Sequence, residues 1–241
     1  MKNQLLWFLL AIHANFFYAQ VEWQQKKEKH GWKNDKIPTQ CFVDFQRTQS
    51  FRTLEPNVAF LNTPLGQRAL EKPLTAWSYG AGLLTSVGRF GRLETGIHWI
   101  QNGESYDFKS SANDSTFHYE SRYRYIGMPL ALMVSYGKQF SLFFGPGITP
   151  MLFSGYAQKR TWTNAYGAQN DDKINVKNNT YSSAVIQVFG QIGCQYRSKN
   201  GWGSYIKGGY RKHITNTYSK YNDYIHRAMG WSIQFGITKE L

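Results

Sequence analysis

The sequence predicts an all-β fold, an eight-stranded antiparallel transmembrane β-barrel, from three observations. Apolar side chains alternate with small or polar ones along many segments, which is the period of a β-strand. The connections between these segments alternate between short turns and long polar stretches. Aromatic residues make up 17% of the chain although its mean hydropathy is −0.51. Barrel strands produce this combination because only alternate residues need be apolar.

The N-terminus has the pattern of a secretory signal. A charged start precedes an apolar run over 5–12, and Ala19 precedes a polar residue. The run is too short for a membrane-spanning helix, which needs about 20 apolar residues. We therefore predict three parts: a signal peptide over 1–19, cleaved near Ala19, a polar leader over 20–39 and an outer-membrane barrel domain over 40–241.

The central hairpin, 123–154, alternates most clearly. Ile126, Leu130 and Val134 share one continuously apolar face, whereas the other face carries small residues such as Gly127. We interpret the apolar face as the one that meets lipid, and the small-residue face as the wall of a crowded lumen.

The other segments repeat this pattern with varying strength. The first is the weakest, because Cys41, Val43 and Phe45 alternate with polar residues but Arg47 interrupts the apolar face. The eight predicted strands are 40–54, 76–87, 92–101, 123–136, 140–154, 183–197, 202–212 and 227–241. The long connections are 55–74, 102–119, 155–182 and 213–225. An even strand count with this rhythm predicts short periplasmic turns and long external loops.

Aromatic side chains stand next to the predicted short turns. Trp and Tyr favour a bilayer interface because they combine an apolar ring with a polar tip. The predicted interface girdle consists of Tyr136, Phe140, Tyr196 and Trp202.

Three charged residues of the strands lie on the glycine-rich face. Glu94, Lys207 and Arg211 share it, so Glu94 is a candidate for a lumenal ion pair with either base. A Lys or Arg on the lipid face near the midplane would cost ~2–4 kcal/mol. A soluble lipocalin-like barrel would instead turn its apolar face inward around a ligand, and this charge placement argues against it.

The net charge is +13, from 28 Lys and Arg against 15 Asp and Glu. Such a charge can indicate nucleic-acid binding. The basic residues are scattered through turns and loops, however, and export would remove the chain from nucleic acid. We expect no nucleic-acid partner, and some attraction to anionic lipid head groups.

The two cysteines, Cys41 and Cys194, lie on predicted outward faces of the first and sixth strands. Because those strands are not neighbours, the Cα atoms would be separated by more than the ~7 Å that a disulfide allows. We predict two free, lipid-facing thiols.

Short motifs in order along the chain resemble a known family. They are Tyr79-Gly-Ala-Gly82, Leu93-Glu-Thr-Gly-Ile97, Tyr125-Ile-Gly-Met-Pro-Leu130, Phe143-Phe-Gly-Pro-Gly147 and Ile233-Gln-Phe-Gly-Ile237. The chain resembles the PorT-like small outer-membrane β-barrel proteins of Bacteroidetes over about 76–241. The resemblance implies the barrel fold and, in part of the family, work in a protein secretion or assembly apparatus. It implies no catalytic residues.

Candidates for chemistry are few. His118, His213 and His226 are predicted in external loops, but no pair has metal-ligand spacing, and exposed loop histidines are the simpler interpretation. Asp107, His118 and Asp223 could stand at the rim as enzyme residues, but no motif joins them. We expect no metal, no cofactor and no enzyme activity.

The predicted role is structural or interactive, through external loops that contact outer-membrane lipid, other envelope proteins or surface polysaccharide. An accessory component of a secretion or assembly apparatus is the alternative, and a narrow solute channel is another. A channel is disfavoured because side chains fill an eight-stranded barrel, and Phe143, Phe189 and Tyr205 are predicted to point inward.

Overall fold

The computed structural model describes residues 38–56, 70–88, 90–110, 115–164, 166–176, 181–219, 222 and 224–241. The predicted signal peptide and almost all of the predicted leader lie outside these ranges. Within them, no helix is both long enough and apolar enough to cross a membrane. The strands are β1 (Gln40–Pro56), β2 (Glu71–Val87), β3 (Gly91–Lys109), β4 (Thr116–Gly127), β5 (Leu130–Gly137), β6 (Phe140–Thr163), β7 (Gln169–Val176), β8 (Ala184–Arg197), β9 (Trp202–His213) and β10 (Tyr224–Glu240).

The strands form a closed antiparallel ring of eight. Its order is β1, β2, β3, the β4–β5 pair, β6, β8, β9 and β10, and β10 pairs with β1. β4 and β5 count as one barrel strand because both pair with β3 and β6. They are separated at Met128 and Pro129, where proline has no N–H for the ladder. The predicted eight-stranded barrel is confirmed.

The register of the ring sets its shape. From Phe45, the pairing through β10, β9 and β8 reaches Leu142 on β6. The pairing through β2, β3 and β4 reaches Leu152 on the same strand. The offset is 152 − 142, a shear of 10 residues. With ~3.3 Å per residue and ~4.8 Å between strands, the strands tilt by about 40°, within the range of small barrels.

The two faces of the wall differ sharply in exposure. Leu132 is 58% exposed, whereas its neighbours Ala131 and Met133 are each 1% exposed. The exposed large apolar residues of the ring therefore form an outward band, and the inward side chains form the core. Arg47 is an exception, because it is exposed between its register partners Trp77 and Ile233 on this outward side.

Inward glycines make room for inward rings. A Cβ atom on Gly147 would clash with the ring of its register partner Phe189, and one on Gly236 would clash with the ring of Tyr205. Phe143 and Tyr205 are buried, and Phe189 packs against the same cluster. The glycine-rich face is thus filled by aromatic side chains from other strands.

Two of the predicted long loops are wrong in part. β3 continues to Lys109 and β4 begins at Thr116, so most of 102–119 is strand. β6 continues to Thr163 and pairs with β7, within the predicted loop 155–182. These extensions lack an apolar outer face, so the alternation that marks the barrel strands is absent from their sequence. Loop 55–74 falls largely outside the described residues.

Cys41 and Cys194 are free thiols on β1 and β8. β10 and β9 lie between those strands in the ring. Both side chains are half-buried, and the Cys41 thiol lies 3.4 Å from the carbonyl oxygen of Lys239.

Candidate functional site

The lumen is crossed by an ion pair. Lys207 Nζ lies 2.7 Å from both carboxylate oxygens of Glu94, and each side chain is 3% exposed. Gln191 Nε2 also donates to Glu94 Oε2 at 3.1 Å. β3 and β9 are four strands apart in a ring of eight. The pair therefore joins opposite walls of the barrel.

Arg211, the third charged candidate, does not share this pair. Its guanidinium donates to Asn102 Oδ1 at 2.9 Å, to the Gln101 carbonyl at 2.9 Å and to Gln46 Oε1 at 3.0 Å. These acceptors are neutral, and two of them belong to β3. Arg211 thus makes a second contact between opposite walls, closer to the long-connection end.

The lumen also contains charged side chains that were not predicted from the sequence. Asp44 accepts a hydrogen bond from the Tyr205 hydroxyl at 2.5 Å and another from Gln234. Arg92 donates to Gln195 Oε1 at 2.6 Å and to Gln40 Oε1 at 3.2 Å. Asp44 lies in the weakest predicted strand. Its alternation with the outward-facing Val43 and Phe45 was the one sequence feature that could have placed it in the lumen.

The cavity next to the ion pair is small. The cavity beside Glu94, His98, Lys207 and Arg211 measures about 40 Å³. A buried water needs ~10–15 Å³ by this kind of measure, so the cavity has room for a few waters. Around the Lys207–Glu94 pair, side chains fill most of the lumen.

A cluster of tyrosines closes the end of the barrel near the long connections. Tyr123 and Tyr181 contact each other and both Tyr156 and Tyr218, and the His226 ring lies 4.9 Å from the rings of Tyr123 and Tyr218. The Tyr123 hydroxyl donates to Glu104 Oε1 at 3.0 Å, and Arg52 lies 3.6 Å from the same carboxylate.

The placement of two histidines in exposed loops was wrong. His213 is 1% exposed at the end of β9, and His226 is 0% exposed on β10. Both point into the barrel because the strands extend further than the apolar alternation indicates. In the ranges that the structure describes, no three His, Cys, Asp or Glu residues are grouped to hold a metal ion.

Two of the three rim candidates come together. His118 and Asp107 are register partners on β4 and β3, and His118 Nδ1 is hydrogen-bonded to Asp107 Oδ1. Lys72 Nζ lies 2.8 Å from Asp107 Oδ2. The hydrogen bonds from Lys72 and then His118 lower the pKa of Asp107 below its usual value. Asp223 lies outside the described residues.

The four girdle candidates are exposed near the short turns. Tyr136 is 76% exposed, Phe140 59%, Tyr196 50% and Trp202 55%. Phe140 and Tyr196 are register partners, and Lys239 Nζ lies 5.3 Å from the Trp202 ring centroid.

Beyond the barrel, four strand segments form what we call the exterior sheet: 105–109 of β3, 116–120 of β4, 159–163 of β6, and β7. Its face on the lumen side carries half-exposed aromatic rings. Tyr106 and Tyr119 stack at 5.3 Å between centroids with 9° between their planes, and the Phe117 ring lies 6.2 Å from Tyr106.

Several solved structures are similar to this chain. Outer membrane protein OprG from Pseudomonas aeruginosa is 12% identical, covers 86% of this chain and 98% of its own, and has a TM-score of 0.45. Neisserial surface protein A is 9% identical over 84% of this chain and 97% of its own, with a TM-score of 0.40. The outer membrane protease OmpT from Escherichia coli is 10% identical over 87% and 98%, with a TM-score of 0.38.

No protein-family model matches the chain, and no curated protein matches it. The resemblance to PorT-like proteins therefore stays a prediction. At these identities and TM-scores no activity follows from the similar structures, and the fold rests on the strand pairing described above.

Proposed function

We propose that the chain is a small integral outer-membrane protein that holds an interaction surface outside the bilayer. The observation that carries this proposal is the inversion of the barrel: apolar side chains such as Leu132 and Phe144 are 58% exposed, while Glu94 and Lys207 are 3% exposed. Such an arrangement is unfavourable in water, where the band would expose a large apolar surface. It is favourable in lipid, because the hydrocarbon chains surround the apolar band and the closed ring of strands provides hydrogen-bond partners for the backbone.

The girdle supports the same orientation. Tyr136, Phe140, Tyr196 and Trp202 gather at the end with short turns, where we place the periplasmic interface. The exterior sheet then projects from the opposite, outer leaflet. In this arrangement the signal peptide over 1–19 directs export, and the lipid-facing band anchors the chain.

A structural and interactive role fits the lumen better than transport does. Two contacts between opposite walls, Lys207 with Glu94 and Arg211 with Asn102, cross the path that a solute would take. We assign these groups to stiffening the barrel. The exterior sheet is hydrogen-bonded from strand to strand and carries half-exposed aromatic rings, which suits it to present a surface to an envelope protein or a surface polysaccharide.

The proposal is tested by expressing the full chain with its own N-terminus and fractionating the cells. We expect the protein in the outer-membrane fraction, with a gel mobility that changes on heating, as folded barrels commonly show. A monomer that stays soluble without detergent would contradict it. Planar-bilayer recordings with large, stable conductance would contradict the filled lumen while leaving the membrane location intact.

A further inference from the structure

A groove of about 450 Å³ runs across the exterior sheet. Its floor is a row of three rings, because Phe108, Phe117 and Trp162 are successive register partners on β3, β4 and β6. Two interstrand spacings make this row about 10 Å long. The volume lies within the ~300–1,000 Å³ of small-molecule sites.

The central ring of the row, Phe117, is packed against two other aromatic rings. Phe117 lies 6.1 Å from the ring of Tyr119, which is itself stacked on Tyr106. Rings fixed on paired strands lose little conformational freedom when a ligand covers them. The row is therefore a preorganised apolar platform, half-exposed on a surface that the proposed function places in water.

The rim of the groove carries opposite charges. Arg160 on β6 and Asp172 on β7 are register partners, and both line the groove. Arg160 Nε donates to Gln158 Oε1 at 2.7 Å, which orients the guanidinium. Hydroxyl-bearing side chains, including Thr116 and Thr163, complete the rim.

We propose that this groove binds a neutral saccharide, as one or two linked pyranose rings of a surface glycan. A pyranose has a face of C–H groups that stacks on aromatic rings and an edge of hydroxyls that both donate and accept hydrogen bonds. The three rings match the face, while the Arg160 guanidinium and the Asp172 carboxylate match the edge.

Two other classes of occupant fit less well. An apolar peptide segment would remove Arg160 and Asp172 from water without replacing their hydrogen bonds, which is costly. A polyanion would meet the Asp172 carboxylate at the rim, and like charges at an interface are unfavourable. The inference rests on the proposed function only in that the exterior sheet must lie outside the bilayer.

The test uses the purified full chain in a detergent without a sugar head group. The probe is an array of neutral hexose and N-acetylhexosamine oligosaccharides, together with uronate and sulfated ones, followed by calorimetric titration with the best neutral oligosaccharide, a readout that does not depend on Trp162. We expect binding to neutral oligosaccharides, and a loss of affinity of about tenfold or more in Trp162→Ala, as for truncation of a central aromatic anchor. Asp172→Asn should also weaken binding, and Trp162→Phe should retain most of it.

The matched control is Tyr166→Ala, which removes a 95% exposed aromatic ring outside the groove and should bind as the unchanged chain does. All variants are first checked for the mobility shift on heating. Absence of neutral-oligosaccharide binding, binding to uronate or sulfated oligosaccharides alone, or equal affinity in folded Trp162→Ala would overturn the inference. Because the location of the unchanged chain in the outer membrane is measured separately, these results would leave the proposed function standing.

Discussion

Lys207 and Glu94 meet across the full width of the barrel, with Nζ 2.7 Å from each carboxylate oxygen and both side chains 3% exposed. The desolvation of two buried charges offsets much of their attraction, so the pair need not add to stability relative to a neutral replacement. Removal of one partner, in contrast, leaves an unpaired charge buried in the lumen.

Glu94→Gln and Lys207→Met should each lower the free energy of unfolding by about 3–5 kcal/mol. The double variant should lose clearly less than the two single losses added together, because neither charge then remains. Urea titrations of the refolded variants in lipid vesicles measure this directly.

The control for this cycle is the exposed pair Arg227 and Glu55, whose charged atoms are 3.5 Å apart with 32% and 55% of their side chains exposed. Glu55→Gln should change the unfolding free energy by less than about 1 kcal/mol. Additive losses at Glu94 and Lys207 would show that the two charges do not interact.

The contact between Gly147 and Phe189 gives a second prediction. Gly147→Ala would place a Cβ atom in the Phe189 ring, so the variant should be less stable by about 1–3 kcal/mol, the usual cost of overpacking. Phe189→Leu should relieve part of that loss in the double variant. Gly190→Ala is the control, because a Cβ atom there meets nothing within 4 Å. Equal effects at Gly147 and Gly190 would contradict the packing described for the lumen.

The sequence predicts the barrel strands because one face of each must be apolar. Ile126, Leu132 and Phe144 mark that face by period two, and this alternation is enough to place the hairpin and the inward glycines. The exterior sheet carries no such requirement, since both of its faces can be polar. The row that contains Phe117 and Trp162 could therefore not be predicted from the sequence, because it depends on the pairing of β4 with β6.

The sequence also did not predict which hydrogen-bond or ion-pair partner each lumenal side chain has. The alternation of inward and outward side chains places Glu94, Lys207 and Arg211 in the same lumen. Which of the two bases lies next to Glu94 depends on the shear of the barrel. A shear of 10 residues brings Lys207 to Glu94 and carries Arg211 further along, to Asn102. His213 and His226 were misplaced for a related reason, because the strands extend past the apolar alternation.

Asp107 gives a pH-dependent prediction. Hydrogen bonds from Lys72 and His118 lower its pKa in the folded chain, so its contribution to stability is present above the ordinary carboxyl pKa of 3.8 and is lost as the pH falls through the lowered value. The side chain is 39% exposed, so the contribution should be below about 1 kcal/mol and decrease with salt.

Urea titrations between pH 6 and the acid range measure this contribution as a difference between the unchanged chain and Asp107→Asn. The difference should be present at pH 6 and shrink as the pH falls below about 4. Lys72→Gln should reduce it as well. A difference that is the same at every pH would contradict the assignment.

Arg47 is exposed on the outward face, two residues from Phe45 toward the long-connection end. An arginine facing lipid costs ~2–4 kcal/mol at the midplane and less toward the interface. Arg47→Leu should therefore stabilise the chain by about 1–2 kcal/mol in vesicles. Lys199→Leu, in a short turn, is the control and should change little. Destabilisation by Arg47→Leu would indicate that Arg47 has a partner in the membrane.

The central claim, that the outward apolar band faces lipid, is tested most directly by a spin label at position 132. Leu132→Cys is made with Cys41→Ser and Cys194→Ser, labelled with a nitroxide and reconstituted in vesicles. We predict that the label collides more often with oxygen, which concentrates in hydrocarbon, than with a water-soluble nickel chelate. A label that collides mainly with the nickel chelate would place this face in water and contradict the account.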